Sequence, residues 1–234
     1  MEICVICFYF VIQSAFMNAS NSHLDTIKDI KQMMERSSRF ISLSGLSGIA
    51  AGISALVGAW FAYGVIHPAE SSGHQYRLEY SEMKGGDISI RDFMGSRLFE
   101  IALFTLIAAL VFAFLFTWLR SKKTNVPLWG ITARRLMWNV SIPLGAGGLY
   151  ILRLIETGTY HLIAPGCLIF YGLALVNASK YTLAEIRYLG YAQLVVGLIN
   201  LWVLGYGLYF WATGFGVLHI VYGIYMWFKY ERND

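Results

Sequence analysis

The sequence predicts an all-α fold: a polytopic membrane bundle of six transmembrane helices with both termini in the cytoplasm. The chain of 234 residues is 57% hydrophobic and only 14% charged, whereas a soluble domain carries about a quarter charged residues. The charges are also unevenly placed. Long stretches without charge alternate with polar gaps, which is typical of helices that cross a bilayer.

The first 22 residues are expected to be a disordered or non-native extension, and residues 23–234 are expected to form a single transmembrane domain. An apolar run near the N-terminus has about ten residues, too few to span a bilayer. It carries Glu2 where a signal peptide would carry basic residues. Met17 opens a polar stretch typical of a cytoplasmic start, and a short membrane-dipping segment is the alternative for residues 1–16.

A short amphipathic helix is predicted before the first span. Ser22 and Asp25 match a capping box at its start. Four apolar residues then share one face: Leu24, Ile27, Ile30 and Met34. Such a helix can lie on the cytoplasmic leaflet, and a solvated lead-in to the first span is the alternative.

Six apolar stretches reach the length needed to cross a bilayer. They are residues 40–63, 98–119, 136–156, 161–178, 188–207 and 211–228, with an outer loop at 65–96 and an inner basic loop at 120–135. The fourth and sixth stretches have only about eighteen residues, near the lower limit, so five spans are the alternative. Six are favoured because the glycine pairs 205/207 and 214/216 bracket a predicted turn.

The first span is rich in small residues. Ser44, Gly48 and Gly52 recur at a spacing of four, with alanines beside them. Small residues let helices approach closely in a bilayer, where packing drives association. The face is predicted to pack within the chain, and a homodimer seam is the alternative.

Lysine and arginine set the predicted orientation. With the N-terminus inside, thirteen of them fall on the cytoplasmic side and four on the outside, all four within the longer outer loop or at its end. This asymmetry follows the positive-inside rule. Tryptophan and tyrosine cluster near both predicted membrane boundaries, as expected for aromatic belts.

The third span contains the most suggestive polar pattern. Arg153 and Glu156 are three residues apart, so they are predicted to pair on one helix face near the outer boundary, close to His161. Asn139 and Tyr150 share a face with Arg153. A structural pair is the expectation, because ionisable groups within a membrane are costly when unpaired; snorkelling to the interface and a functional site are the alternatives.

The fifth and sixth spans each carry a stripe of polar and small residues. Asn200 lies on the stripe of the fifth span, and His219 lies between glycines in the sixth. Such stripes face protein or a polar cavity. Interhelical hydrogen bonding is the expectation; a solute cavity including Asn200, His219 and Arg153 is the alternative.

No metal or cofactor is expected. Cys4 and Cys7 form an isolated CxxC motif without a second pair. His67, Glu70 and His74 in the outer loop match no established zinc spacing. The sequence contains no nucleophile elbow, phosphate-binding loop or dinucleotide fingerprint, and its charge is too small and dispersed for nucleic acid.

The stretch MMERSSRFISLSGLSGIAAG, residues 33–52, resembles the start of uncharacterised polytopic inner-membrane proteins of Bacteroidota-type bacteria. The resemblance implies a bacterial inner-membrane protein and no particular activity. The small size, the short turns and the missing catalytic motifs favour a non-enzymatic sensor, regulatory or scaffold subunit that works through a membrane or cytoplasmic protein partner. The alternative is a small-solute transporter or channel with a polar cavity lined by spans three, five and six.

Overall fold

The computed structural model describes residues 44–67, 93–124 and 130–232, and within them the chain forms six helices and no sheet. In chain order these are α1 (Gly45–Ile66), α2 (Arg97–Thr124), α3 (Ile131–Glu156), α4 (Ile163–Ala178), α5 (Ile186–Trp202) and α6 (Gly207–Tyr230). The all-α prediction is confirmed. The predicted N-terminal extension and amphipathic helix lie outside the described residues.

Four segments of the described chain are long and apolar enough to cross a membrane. They are Gly45–Ile66, Arg97–Lys123, Tyr160–Ala178 and Gly207–Tyr230. The helices also present large apolar side chains outward, with Trp202 81% exposed and Phe104 70% exposed. Outward apolar surface on this scale suits lipid rather than water. By composition and surface, the chain is a multi-pass helical membrane protein.

The other two helices, α3 and α5, are not both long and apolar enough to cross a membrane, and the reason differs between them. The α5 helix has 17 residues and rises about 25 Å, slightly less than the hydrocarbon core. The α3 helix is long enough at 26 residues, but polar residues such as Asn139 and Arg153 interrupt its apolar surface.

The loop bounds differ from the prediction. The basic loop predicted at 120–135 is narrower, because α2 continues to Thr124 and α3 already begins at Ile131. Lysine and arginine are good helix formers, so a charged end does not terminate a helix. At the other boundary, α1 continues to Ile66, beyond the predicted end at residue 63.

The turn before the last helix was predicted in the wrong place. The chain turns at residues 203–206, where Gly205 adopts a positive φ of 92° that glycine tolerates without strain. Gly214 and Gly216 are buried inside α6, within a π-helical segment, Ala212–Leu218. Their small size serves helix packing there rather than a turn.

The helices alternate in direction along the chain, and α6 lies between the two halves of the bundle. The α1 helix packs between α2 and α6, while α4 packs against α3, α5 and the first half of α6. The N-terminus of α1 meets the C-terminus of α6, since Gly45 lies against Trp227. Ala164 of α4 lies against Gly207, and Leu168 lies against Gly214; the contacts follow the same order along both helices, so α4 and α6 run parallel.

Glycines allow α1 and α6 to touch through their backbones. A Cβ atom on Gly45 would lie 2.6 Å from the carbonyl oxygen of Gly223, and one on Gly223 would lie 2.6 Å from the carbonyl oxygen of Gly45. Gly52 approaches the Gly216 carbonyl in the same way, at 2.7 Å. The small-residue face of α1 therefore packs within the chain, as predicted. The homodimer alternative is not tested by this contact and stays a prediction.

Candidate functional site

A buried polar network lies where α4, α5 and α6 meet. Its centre is the carbonyl oxygen of Gly214, within the π-helical segment of α6. This oxygen accepts a hydrogen bond from Gln193 Nε2 at 2.8 Å and one from His219 Nδ1 at 3.0 Å. Single π-helical turns inside α-helices are frequent at functional sites, and this one brings a backbone carbonyl to two side chains.

The geometry assigns the histidine tautomer. A carbonyl oxygen only accepts, so Nδ1 of His219 carries the proton and Nε2 of the neutral ring is an acceptor. Tyr171 lies 2.8 Å from that Nε2 through its hydroxyl and therefore donates to it. Gln193 Nε2 also lies 3.5 Å from His219 Nδ1, but both atoms are donors, so this approach contributes no hydrogen bond.

Apolar and aromatic groups close the network off. Gln193 and Leu168 are fully buried, and His219 is 6% exposed. The Phe215 ring is nearly parallel to the His219 ring, with centroids 6.0 Å apart. A Cβ atom on Gly214 would clash with the end of the Leu168 side chain, so a larger residue fits there only if Leu168 moves. The network is consequently buried and tightly packed.

Two buried amide atoms next to this network have no hydrogen-bond partner among the described residues. They are Gln193 Oε1 and Asn200 Nδ2. Gln193 and Asn200 are seven residues apart, so they lie on one face of α5 two turns from each other. A Cβ atom on Gly214 would lie 2.6 Å from this Gln193 oxygen. An unpaired buried amide atom costs about 1–3 kcal/mol.

The structure distributes the predicted site residues over three places. Asn200 and His219 are buried in the bundle, as the interhelical hydrogen-bonding interpretation expects for His219. Arg153 and Glu156 form the predicted ion pair at 2.9 Å, but at the exposed end of α3, with 72% of the arginine side chain accessible. His161 is exposed on the turn before α4.

The remaining two candidates hold α3 in place. Asn139 Nδ2 donates to the Arg135 carbonyl one turn earlier, and the Asn139 carbonyl accepts from Asn177 of α4 at 2.9 Å. Tyr150 stacks at an angle on Phe170 of α4, with centroids 5.5 Å apart. Because α3 packs on α4, Arg153 does not join Asn200 and His219. Arg153 instead pairs with Glu156 of its own helix, and the alternative of a polar cavity lined by spans three, five and six stays a prediction.

Sequence reasoning passed over two members of the network. Neither Gln193 of α5 nor Tyr171 of α4 is among the site residues predicted from the sequence. The polar stripe of α5 was a usable signal for Gln193, since two amide residues seven apart define one inward face. Tyrosine is common in membrane proteins, and nothing in its spacing distinguishes Tyr171 from a tyrosine at an interface.

A second polar cluster joins the ends of three helices. The Glu231 carboxylate accepts from the Gly45 backbone N–H and, at 3.1 Å, from the Ser44 hydroxyl. It also pairs with Arg120 at the end of α2, at 2.5 Å. A carboxylate at a helix N-terminus satisfies free N–H groups and suits the helix dipole. Because both charged side chains are largely buried, at 14% and 11% exposure, the pair ties α1, α2 and α6 together.

Glu185 makes a comparable contact from the turn between α4 and α5. Its carboxylate pairs with Lys229 and accepts from the Tyr230 hydroxyl at 2.8 Å. Burial acts to raise the pKa of Glu185, but the hydrogen bonds from Lys229 and Tyr230 outweigh it, so the pKa lies below its ordinary value. Two carboxylates thus hold the C-terminal end of α6.

Comparison with family models, curated proteins and solved structures finds no match for this chain. Within residues 44–67, 93–124 and 130–232, no group of three or more histidine, cysteine, aspartate or glutamate side chains could hold a metal ion. The Gly214 carbonyl joins α5 to α6, and the hydrogen bond from Tyr171 to His219 joins α4 to α6, so the described polar residues link three helices.

Proposed function

We propose that the chain is a six-span membrane protein with both termini in the cytoplasm, acting as a non-enzymatic sensor, regulatory or scaffold subunit. The six helices alternate in direction, which is the arrangement that six crossings require. The α3 and α5 helices pack beside the apolar spans, so a bilayer around the bundle would enclose them too. The N-terminal stretch that resembles Bacteroidota-type proteins supports a bacterial inner membrane.

The distribution of lysine and arginine supports the placement of both termini in the cytoplasm. At the end of the bundle that holds the C-terminus of α6, the described residues include nine lysines and arginines: Arg120, Lys122, Lys123, Arg134, Arg135, Lys180, Arg187, Lys229 and Arg232. Arg97 and Arg153 lie toward the opposite end. The positive-inside rule assigns the richer end to the cytoplasm. Reporter fusions test the topology, and periplasmic reporter activity after Lys123 would contradict it.

The observation that carries the functional proposal is the closed polar network around Gly214. A transporter needs polar groups that line a water-accessible path. Here Tyr171 donates to His219, and Gln193 and His219 both donate to the Gly214 carbonyl, while Gln193 is fully buried and Asn200 is 1% exposed. Such a network stabilises one helix arrangement and can report a change in it, which is what a sensor or scaffold requires.

An open small-residue face supports a role exercised through a partner. Ser141, Gly145 and Gly148 of α3 are exposed, and a Cβ atom on either glycine would meet nothing within 4 Å. Faces of this kind let a second transmembrane helix approach closely. A partner helix therefore fits on α3, on the side away from α4.

Cysteine accessibility separates the two functional classes. In a chain whose three native cysteines are replaced by serine or alanine, Asn200→Cys and His219→Cys are treated with a membrane-impermeant thiol reagent. We expect no labelling of either. Lys180→Cys, exposed in a turn, should label, and Leu149→Cys, exposed on an apolar helix face, should not. Labelling of Asn200→Cys in folded protein, or solute flux in proteoliposomes, would favour the transporter instead.

A further inference from the structure

The α2 helix leaves most of its surface uncovered. It packs chiefly against α1, and its apolar side chains are exposed along the rest of its circumference. Between them lies a shallow groove lined by five apolar residues: Leu110, Val111, Phe114, Leu115 and Trp118. Their spacing places them on one helix face over about 12 Å of its length.

A cationic group closes one end of this groove. The Lys122 ammonium lies 3.9 Å from the centroid of the Trp118 ring, one helical turn away. Side chains on a helix lean toward its N-terminus, so the lysine extends over the tryptophan rather than away from the groove. Lys123 is also exposed, about 100° farther around the helix than Lys122.

The charge at this end of the groove has no competing carboxylate on α2. The acidic residue of this helix, Glu100, lies in its first turn, whereas Lys122 and Lys123 lie in the last. Arg120 is about 200° around the helix from Trp118 and pairs with Glu231 inside the bundle. The two lysines are thus oriented outward while the arginine is held inward.

We propose that α2 binds an anionic phospholipid, with one acyl chain along the groove and the headgroup phosphate at Lys122 and Lys123. The apolar groove fits a hydrocarbon chain, and the ammonium at its end fits the phosphate where headgroup level begins. The site requires only that α2 lies in a bilayer and is independent of the proposed regulatory role.

The dipole of α2 opposes the attraction of the two lysines for a phosphate. The C-terminal end of a helix carries about half a negative unit charge, which repels a phosphate. The preference for an anionic lipid therefore depends on the two lysines together. A lysine near a membrane surface contributes about a fivefold preference for anionic lipid, and two contribute on the order of 25-fold.

Native mass spectrometry of the full chain tests the site. The protein is purified from an equimolar mixture of phosphatidylglycerol and phosphatidylcholine with matched acyl chains, and the retained lipids are counted. We expect phosphatidylglycerol to exceed phosphatidylcholine by an order of magnitude, and K122Q/K123Q to bring the ratio near one. The matched control R134Q/R135Q removes the same charge from exposed positions on α3 and should keep the preference.

A second pair of variants tests the groove without changing charge. Val111→Trp fills the groove and should lower the retained phosphatidylglycerol severalfold, whereas Leu103→Trp, exposed on the same helix outside the groove, should not. An equal loss in R134Q/R135Q would show a general basic rim and overturn the site. So would an unchanged ratio in K122Q/K123Q, or a change of oligomeric state in Val111→Trp, which would identify a protein as the occupant.

Discussion

Alanine at Gly223 tests the backbone contact between α1 and α6. The added methyl group would lie 2.6 Å from both the Gly45 carbonyl oxygen and the Ile49 backbone nitrogen. Ordinary contact begins at 3.4 Å, so the helices must separate by about 0.8 Å at this point. Both obstructing atoms belong to the backbone of α1 and cannot rotate away, as a flexible side chain could.

The expected loss of stability is the balance between the cost of overpacking and the better helix propensity of alanine. Overpacking of a tight contact costs about 1–3 kcal/mol, and a gap approaching 1 Å forfeits a quarter to half of each van der Waals contact along the interface. Alanine regains about 0.5–1 kcal/mol over glycine inside a helix. We therefore expect Gly223→Ala to destabilise the bundle by about 1–2 kcal/mol.

Equilibrium unfolding in mixed detergent micelles measures this effect against two controls. Gly148→Ala adds a methyl group with nothing within 4 Å and should be neutral or slightly stabilising. Gly48→Ala, whose Cβ would lie 3.3 Å from the Gly223 α-carbon, should fall between them. If Gly223→Ala unfolds at the same detergent composition as Gly148→Ala, the α1–α6 contact is not as close as described here.

Three further outcomes are expected. Tyr171→Phe removes the donor to His219 and should cost about 1–2 kcal/mol in the same unfolding assay; no change would mean that the ring nitrogen finds another donor. Glu231→Gln breaks a largely buried pair and should cost about 3 kcal/mol, whereas Glu156→Gln breaks an exposed pair on one helix and should cost less than about 0.5 kcal/mol. Equal losses would contradict the difference in burial. The pKa of Glu185 is lowered in the folded state, so the stability that Glu185 contributes is present above its ordinary pKa and is lost as the pH falls through the folded value. Glu185→Gln should therefore flatten the dependence of unfolding on acidic pH. An unchanged dependence of unfolding on pH would exclude Glu185 as its source.

Much of the architecture could be predicted from periodicity and charge. The six helices follow from the apolar stretches, because a run of that length has few other ways to satisfy its backbone in a membrane. Their ends were less predictable. The π-helical segment around Gly214 looked like part of a turn, since paired glycines mark both turns and tight helix contacts, and only neighbouring helices distinguish the two.

In the candidate site, too, some contacts could be predicted from the sequence and others could not. The Arg153–Glu156 pair was predicted correctly because both residues lie on one helix, three positions apart, where helix geometry alone decides the contact. The meeting of His219 with Tyr171 was not predicted, because those residues are 48 positions apart. Helical spacing indicates which residues share a face, but it does not say which helix that face meets.

The contacts of Glu231 show the difference between what composition determines and what tertiary packing determines. Composition and the charge-poor stretches are sufficient to place this chain in a membrane, since transfer of apolar side chains out of water depends on the residues alone. Glu231 lies in a short charged segment, with three residues after it in the sequence. It is buried against Ser44 and Arg120 only because the antiparallel packing of α1 with α6 brings a free helix N-terminus to it. That contact depends on long-range packing, which no local pattern in the sequence encodes.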